Sequence, residues 1–236
     1  MNIQIYDNLS ELNEAFTDWI KELLEKKGKL TISLSGGSTP KSLFDYWSKH
    51  HKEDIDWSSI YLFWGDERAV AHSESNYKMT KDHLLDNVPI PEKNIFRIKG
   101  ENDPEEEAKR YALVLEEELV LKNNIPSFDI IILGMGDDGH TASIFPYEIN
   151  LWDDSRYCVV GTHPDSGQKR VSLTGTAINN ADNVAFLVTG AGKAEKVKEI
   201  VGGAGGDEMK YPAARVEPTS GNLFWFMDKE AAKLLM

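Results

Sequence analysis

Residues 128–146 read FDIIILGMGDDGHTASIFP. The first seven are an apolar, β-type run that ends at Gly134. Three glycines then fall within six residues, and His140 follows between Asp138 and Thr141. A buried strand that runs out into a glycine turn is the layout of an open α/β sheet, whose ligands bind beyond the carboxyl ends of the strands. The turn has two readings, a tight connection carrying an ordinary surface histidine or a functional loop. The remainder of the chain decides between them.

Strand and helix signals alternate on both sides of this stretch. NIQIY reads as a first strand. Leu9, Leu12, Phe16, Trp19, Leu23 and Leu24 recur at helical spacing, and Gly28 stops the helix. LTISLS (30–35) is a strand. Thr39 is placed as N-cap and Pro40 as first helical residue of KSLFDYWSKHH. IYLFW (60–64) is a strand, GDERAVAHSESN a long loop, YKMTKDHLLDN a helix and NIFRIK a short strand. Pro104 opens a helix read through residue 122, and its acidic first turn suits the helix dipole. YCVVGT, KRVSLT, NVAFLVTG and GNLFWFM complete the strands, with a helix over AGKAEKVKEIVGG. GGAGGDE (202–208) reads as a mobile loop. Nearly continuous apolar strands separated by helices predict an α/β fold, a mostly parallel sheet with helices on both faces. No Pro/Ser-rich linker divides the chain, so residues 1–236 are expected to form a single domain.

The 236 residues are 41% hydrophobic, enough for a core, and their net charge of -13 repels phosphate backbones and anionic lipid. Nucleic acid and membrane are therefore excluded as partners. The N-terminus lacks the basic start and apolar run of a signal peptide, and no window is apolar enough to span a bilayer. One cysteine, Cys158, permits no internal disulfide. A soluble, cytoplasmic protein, monomer or homodimer, is the expectation.

Four loops after strands carry unusual residues: SGGSTPKS (35–42), GDERAV (65–70), GMGDDGHTAS (134–143) and TGAGKA (189–194). In a parallel sheet all four share one edge. Gly36 and Gly37 let the backbone approach an oxyanion, Ser38 and Thr39 offer hydroxyls, and a helix start supplies free N–H groups. This is either a phosphate cradle or an ordinary strand–helix turn. It is not a Walker loop, because Pro40 precedes Lys41. Lys193 opposes the dipole of its helix unless it meets an anion; a solvated lysine is the other reading. Of Lys169 and Arg170, one faces the cleft and one faces outward. Glu67 is assigned a structural role and Arg68 a substrate-facing one. The histidines lack metal-ligand spacing and no GxSxG elbow is present, so neither a metal site nor a serine nucleophile is expected. GMGDDG matches GxGxxG in spacing, but its place in mid-chain and the histidine after it argue against a dinucleotide site. What remains is His140 as general base on water, oriented by Asp138.

SGGSTP, FWGDER, GMGDDGHTASIFP, RVSLT and TGAGK appear here in the order and spacing of the 6-phosphogluconolactonase family, which the chain resembles from about residue 30 to 195. The resemblance implies a modified Rossmann-like fold shared with sugar-phosphate isomerases and deaminases. It implies hydrolysis of 6-phospho-D-glucono-1,5-lactone in the oxidative pentose phosphate pathway, without metal or organic cofactor. His140 falls on the catalytic histidine and Asp138 on its supporting aspartate. Gly36, Gly37, Ser38, Thr39, Arg170 and Lys193 fall on the phosphate site, and Arg68 is assigned to the lactone oxygen or the phosphate. Glucosamine-6-phosphate deaminases also carry a DGH segment, but use a glutamate five residues after the histidine, where this chain has Phe145, and a tyrosine where it has Arg68. A non-catalytic sugar-phosphate sensor is the third alternative.

Overall fold

The computed structural model describes residues 1–70, 74–203 and 210–235. Along the chain stand β1 (Asn2–Tyr6), α1 (Leu9–Lys27), β2 (Leu30–Leu34), α2 (Ser38–His50), β3 (Ile60–Trp64), β4 (Asp66–Arg68), α3 (Asn76–Thr80), β5 (Ile95–Phe96) and α4 (Pro104–Glu118). Then come β6 (Val120–Lys122), β7 (Ile125–Ser127), β8 (Ile130–Leu133), β9 (Cys158–Thr162), β10 (Lys169–Leu173), α5 (Gly175–Ile178), β11 (Val184–Val188), α6 (Ala194–Ile200), β12 (Leu223–Asp228) and α7 (Lys229–Ala232). Seven strands form one sheet in the order β1-β12-β11-β8-β2-β3-β5, with every neighbouring pair parallel. Every residue of β2, β8 and β11 is buried, which is why these strands read as unbroken apolar runs.

The side-chain period of two sends neighbouring residues of β12 to opposite faces. Phe226 meets Phe16 of α1 edge-on at 5.0 Å, and Phe16 stacks in turn on Trp47 of α2. On the other face Trp225 stacks on Phe186 at 4.0 Å. The α1 helix is closed at both ends: the Asn8 side chain accepts from the amides of Ser10 and Glu11, and Gly28 adopts φ 72 beyond the last turn.

Several sequence expectations need correction. The helix opened by Pro104 ends at Glu118, not at residue 122. Residues 120–127 form a small antiparallel hairpin instead, turned by Asn123 and Asn124 at φ 55 and 62. A two-residue turn of the I′ kind has positive φ at both positions, and asparagine tolerates it. Residues 66–68 are not loop but strand β4, which pairs antiparallel with β10, itself antiparallel to β9. YCVVGT and KRVSLT therefore belong to a separate three-stranded sheet. The N-cap of α2 is Gly37, not Thr39: its φ of 105 suits only glycine, and Pro40 falls within the first turn. The helix over YKMTKDHLLDN is α only to Thr80 and continues as one π-turn, 81–85. The strand in NIFRIK is just Ile95–Phe96. The expected loop at 202–208 lies mostly outside the described residues.

Because β5 is so short, Trp64 at the end of β3 pairs with Leu34 of β2 on one side but has no strand partner on the β5 side. Tyr111 of α4, fully buried, fills the place: its hydroxyl accepts from the Trp64 amide at 2.8 Å and donates to the Trp64 carbonyl at 3.1 Å. We expect Tyr111→Phe, which orphans that buried amide, to lower stability by about 1–3 kcal/mol. A urea titration checks this; an unchanged midpoint refutes it.

Candidate active site

In the central sheet the chain leaves β2 toward β3 and leaves β8 toward β11, so the loops after two adjacent strands diverge. Such a switch point opens a crevice at the carboxyl edge of the sheet. A cleft of about 240 Å³ lies there, and all four singled-out loops reach it. Its walls include Gly36, Gly37, Arg68, Gly136, His140, Arg170 and Lys193.

The loop after β8 shapes the imidazole side. The Gly136 amide donates to the His140 carbonyl at 2.9 Å and the Gly139 amide to the Gly136 carbonyl at 3.0 Å, closing the loop on itself. Asp138 Oδ1 accepts from the His140 amide at 3.0 Å and lies 2.6 Å from His140 Nδ1. Gly136 has to be glycine: an added Cβ would lie 2.2 Å from His140 Nδ1. Phe145 packs against the imidazole with ring centres 4.6 Å apart. Burial by itself raises the pKa of the Asp138 carboxyl, but the hydrogen bond and charge of His140 outweigh it and hold the group below its ordinary value. An ionised Asp138 only accepts, so Nδ1 of His140 carries the proton of this hydrogen bond.

Arg68 and Arg170 also line the cleft, and the Arg170 guanidinium lies 5.7 Å from the ring of Phe145, the residue packed on the imidazole. Arg68 and Arg170 are direct cross-strand partners in the small sheet. Like charges so placed repel. Neither arginine has an ion-pair partner among the described residues, and the Nε of each is buried without a hydrogen bond. Burial first, and the Arg68 charge second, pull Arg170 below its ordinary pKa; a guanidinium nevertheless stays charged. Arg68 also donates to the Glu74 carbonyl. Lys169 faces away from the cleft and donates to Thr162 Oγ1.

The glycine loop completes the site. The Gly37 carbonyl accepts from the Lys41 amide, and the earlier amides of α2 have no helical acceptor. Ser38 is exposed on the first turn, and Thr39 shares a 2.7 Å hydrogen bond with Thr189, so neither hydroxyl lines the cleft wall itself.

Two contributors were not legible in the sequence, Asn76 and the Asp66–Ser143 pair, whereas Glu67 has the structural role expected of it. Asn76 is buried in the cleft wall so close to Gly36 that a Cβ there would lie 2.0 Å from its Oδ1. Glu67 sets this position: its carboxylate accepts from the amides of Arg68, Asn76 and Tyr77 and from Ser75 Oγ. Burial raises the Glu67 pKa, although those four donors pull it down. Asp66 and Ser143 form the second: Ser143 Oγ donates to Asp66 Oδ2 at 2.7 Å while the Ser143 amide donates to Ser172 Oγ. Only Ser75, as an N-cap, left a local signal.

Among the described residues no group of three His, Cys, Asp or Glu side chains could hold a metal ion, and no helix is long and apolar enough to cross a membrane.

Fold and cleft together define an α/β protein whose cleft, at the carboxyl edge of the sheet, is lined by an imidazole and three cationic side chains. Residues 7–225 match the family model described as glucosamine-6-phosphate isomerases/6-phosphogluconolactonase. The chain is 46% identical over 207 residues to a 6-phosphogluconolactonase of Aggregatibacter actinomycetemcomitans, covering 86% of this chain and 87% of the relative. A crystal structure of a devB protein superposes with a TM-score of 0.95 at 39% identity, covering 100% of this chain and 99% of the other. A 6-phosphogluconolactonase structure from Trypanosoma brucei gives 0.85 at 31% identity, with 100% and 98% covered. The chain belongs to the glucosamine-6-phosphate isomerase/6-phosphogluconolactonase family.

Because the folded-state pKa of Asp138 is depressed, its stabilising contribution is complete above the ordinary carboxylate range and is lost as the pH falls through the lower value. In His140→Ala the lowering partner is gone and burial remains. We expect the Asp138 carboxyl to titrate at higher pH than in wild type, read by carbon-13 NMR of labelled aspartate. An unmoved titration removes the coupling.

Proposed function

We propose that this protein hydrolyses 6-phospho-D-glucono-1,5-lactone to 6-phospho-D-gluconate, the lactone-opening step of the oxidative pentose phosphate pathway, with His140 as general base. A lactone hydrolase of the 6-phosphogluconolactonase kind is the activity its relatives carry by name. The observation that supports the mechanism is one cleft lined by His140, which Asp138 holds, and by the cations Arg68, Arg170 and Lys193.

The phosphate sits against Gly36 and Gly37, at the start of α2, with Arg170 and Lys193 as counter-charges; Ser38 and Thr39 flank this cradle. Nε2 of His140 takes a proton from water as the oxygen attacks C1. Asp138 stabilises the imidazolium. The tetrahedral oxyanion collapses, the C1–ring oxygen bond breaks, and His140 returns the proton to the departing oxygen. Arg68 is positioned for the oxyanion or the phosphate. General base catalysis contributes roughly 10²–10⁴-fold and one oxyanion donor roughly 10²–10³-fold. A sugar lactone already opens slowly in water, so these terms suffice without a covalent intermediate.

A deaminase reading is disfavoured because the position five residues beyond the histidine is Phe145, a buried ring packed on the imidazole rather than a carboxylate. A sensor would have no use for the His140–Asp138 pair.

The phospholactone, generated in situ and followed by NMR, tests the proposal. His140→Ala is expected to lower kcat by about 10²–10⁴-fold with little change in thermal stability, since the ring is partly exposed. Wild-type turnover in that variant removes His140 from the mechanism. Lys193→Ala is expected to raise KM with kcat largely kept; a collapsed kcat at constant KM would move Lys193 to the reacting carbonyl. Ammonia released from glucosamine 6-phosphate in a parallel assay would favour the deaminase.

A further inference from the structure

The three cations of the cleft differ in one respect. Arg68 and Arg170 have no carboxylate partner among the described residues, whereas Lys193 Nζ is 2.5 Å from Asp137 Oδ1. Asp137 is the residue next to Asp138, so two adjacent carboxylates of one loop face two ends of the site. Asp138 holds the imidazole and Asp137 holds the ammonium. The Lys193 side chain is 27% exposed and lines the cleft; that of Asp137 is 80% exposed and stands at its rim.

We propose that Asp137 is a positioning residue for anion capture, an internal stand-in that keeps Lys193 over the cleft until the ligand's phosphate displaces it. The proposal rests on the phosphosugar reading of the site and adds to it a residue whose carboxylate competes with the substrate. Lys193 lies in the short helical turn before α6 and donates its amide to the Gly190 carbonyl, so its backbone is fixed while its long side chain is free to choose between acceptors. A phosphate offers a doubly charged, multi-oxygen acceptor, where Asp137 offers a solvated single charge worth little as an ion pair. The loop that carries Asp137 is closed by its own backbone hydrogen bonds between Gly136, Gly139 and His140. Releasing Lys193 therefore leaves the loop in place, and the imidazole does not shift when the anion arrives.

The experiment compares Asp137→Asn in two backgrounds, wild type and Lys193→Met. Inorganic phosphate binding is read by calorimetry at low salt, and KM and kcat are read on the phospholactone. In the wild-type background the substitution is expected to tighten phosphate binding and lower KM by roughly two- to fivefold, the range of an exposed ion pair, with kcat unchanged. Asp137→Glu is expected to restore wild-type values. In the Lys193→Met background the effect disappears. Unchanged or weaker phosphate binding in Asp137→Asn overturns the proposal, as does equal tightening in both backgrounds, which marks a general field effect rather than competition for Lys193. Calorimetry keeps the test separate from the catalytic reading: absence of turnover in wild type would sink the lactonase assignment and leave the phosphate result to judge Asp137.

Discussion

The architecture depends on the divergence of the chain at two adjacent strands, β2 and β8. One leads its connection toward β3 and the other toward β11. The two loops at the carboxyl edge, 35–37 and 134–140, therefore leave in opposite directions and both line the cleft. One loop brings the start of α2 with its unpaired amides. The other brings an imidazole and the carboxylate that orients it. Parallel pairing makes this unavoidable, because every strand of the sheet delivers its following loop to the same edge.

Within that frame the site is assembled at close quarters. Gly36 leaves room for Asn76, and Gly136 leaves room for the Asp138–His140 pair. Ala142, at φ 49, accepts a left-handed backbone where the chain turns Ser143 inward, a local cost of the kind that clusters at functional sites. Two arginines stand opposite each other without carboxylate partners in a protein whose net charge is -13. Acidic side chains are plentiful, yet none within the described residues neutralises this pair. The anionic ligand proposed above would supply a counter-charge to this pair.

The main sheet was legible because its central strands are buried on both faces and so lose the alternation that would hide them among loops. The convergence of four loops followed from that sheet alone. The placement of His140, Asp138 and Lys193 at or beside the cleft was legible because glycines and a misplaced lysine make those loops unlike ordinary turns. What escaped was structure decided by distant partners. DER became a strand only because KRVSL lies beside it; three residues carry no periodicity of their own. The end of α4 was misread because Val120 and Leu121 continue an apolar pattern, and only the paired left-handed asparagines after them reveal the hairpin. Asn76 was invisible because its place in the cleft is set by Glu67, nine residues earlier in sequence, through hydrogen bonds that leave no spacing signature. Thr39 was misjudged as a cap because Gly37, two residues earlier, takes a backbone angle open to glycine and starts the helix without a side-chain oxygen.

The cations Arg68 and Arg170 stand on the small antiparallel sheet, while the imidazole hangs from the large parallel one. Their separation is thus not a matter of register within either sheet. It is set where the two sheets are bolted together, by Asp66, Ser143 and Ser172 and by Gly65, whose amide reaches Leu34 and whose carbonyl receives Leu173. That junction works as a caliper. On the proposed reading it sets how long a molecule must be for its charged tail to meet the arginines while its reactive carbon meets the imidazole.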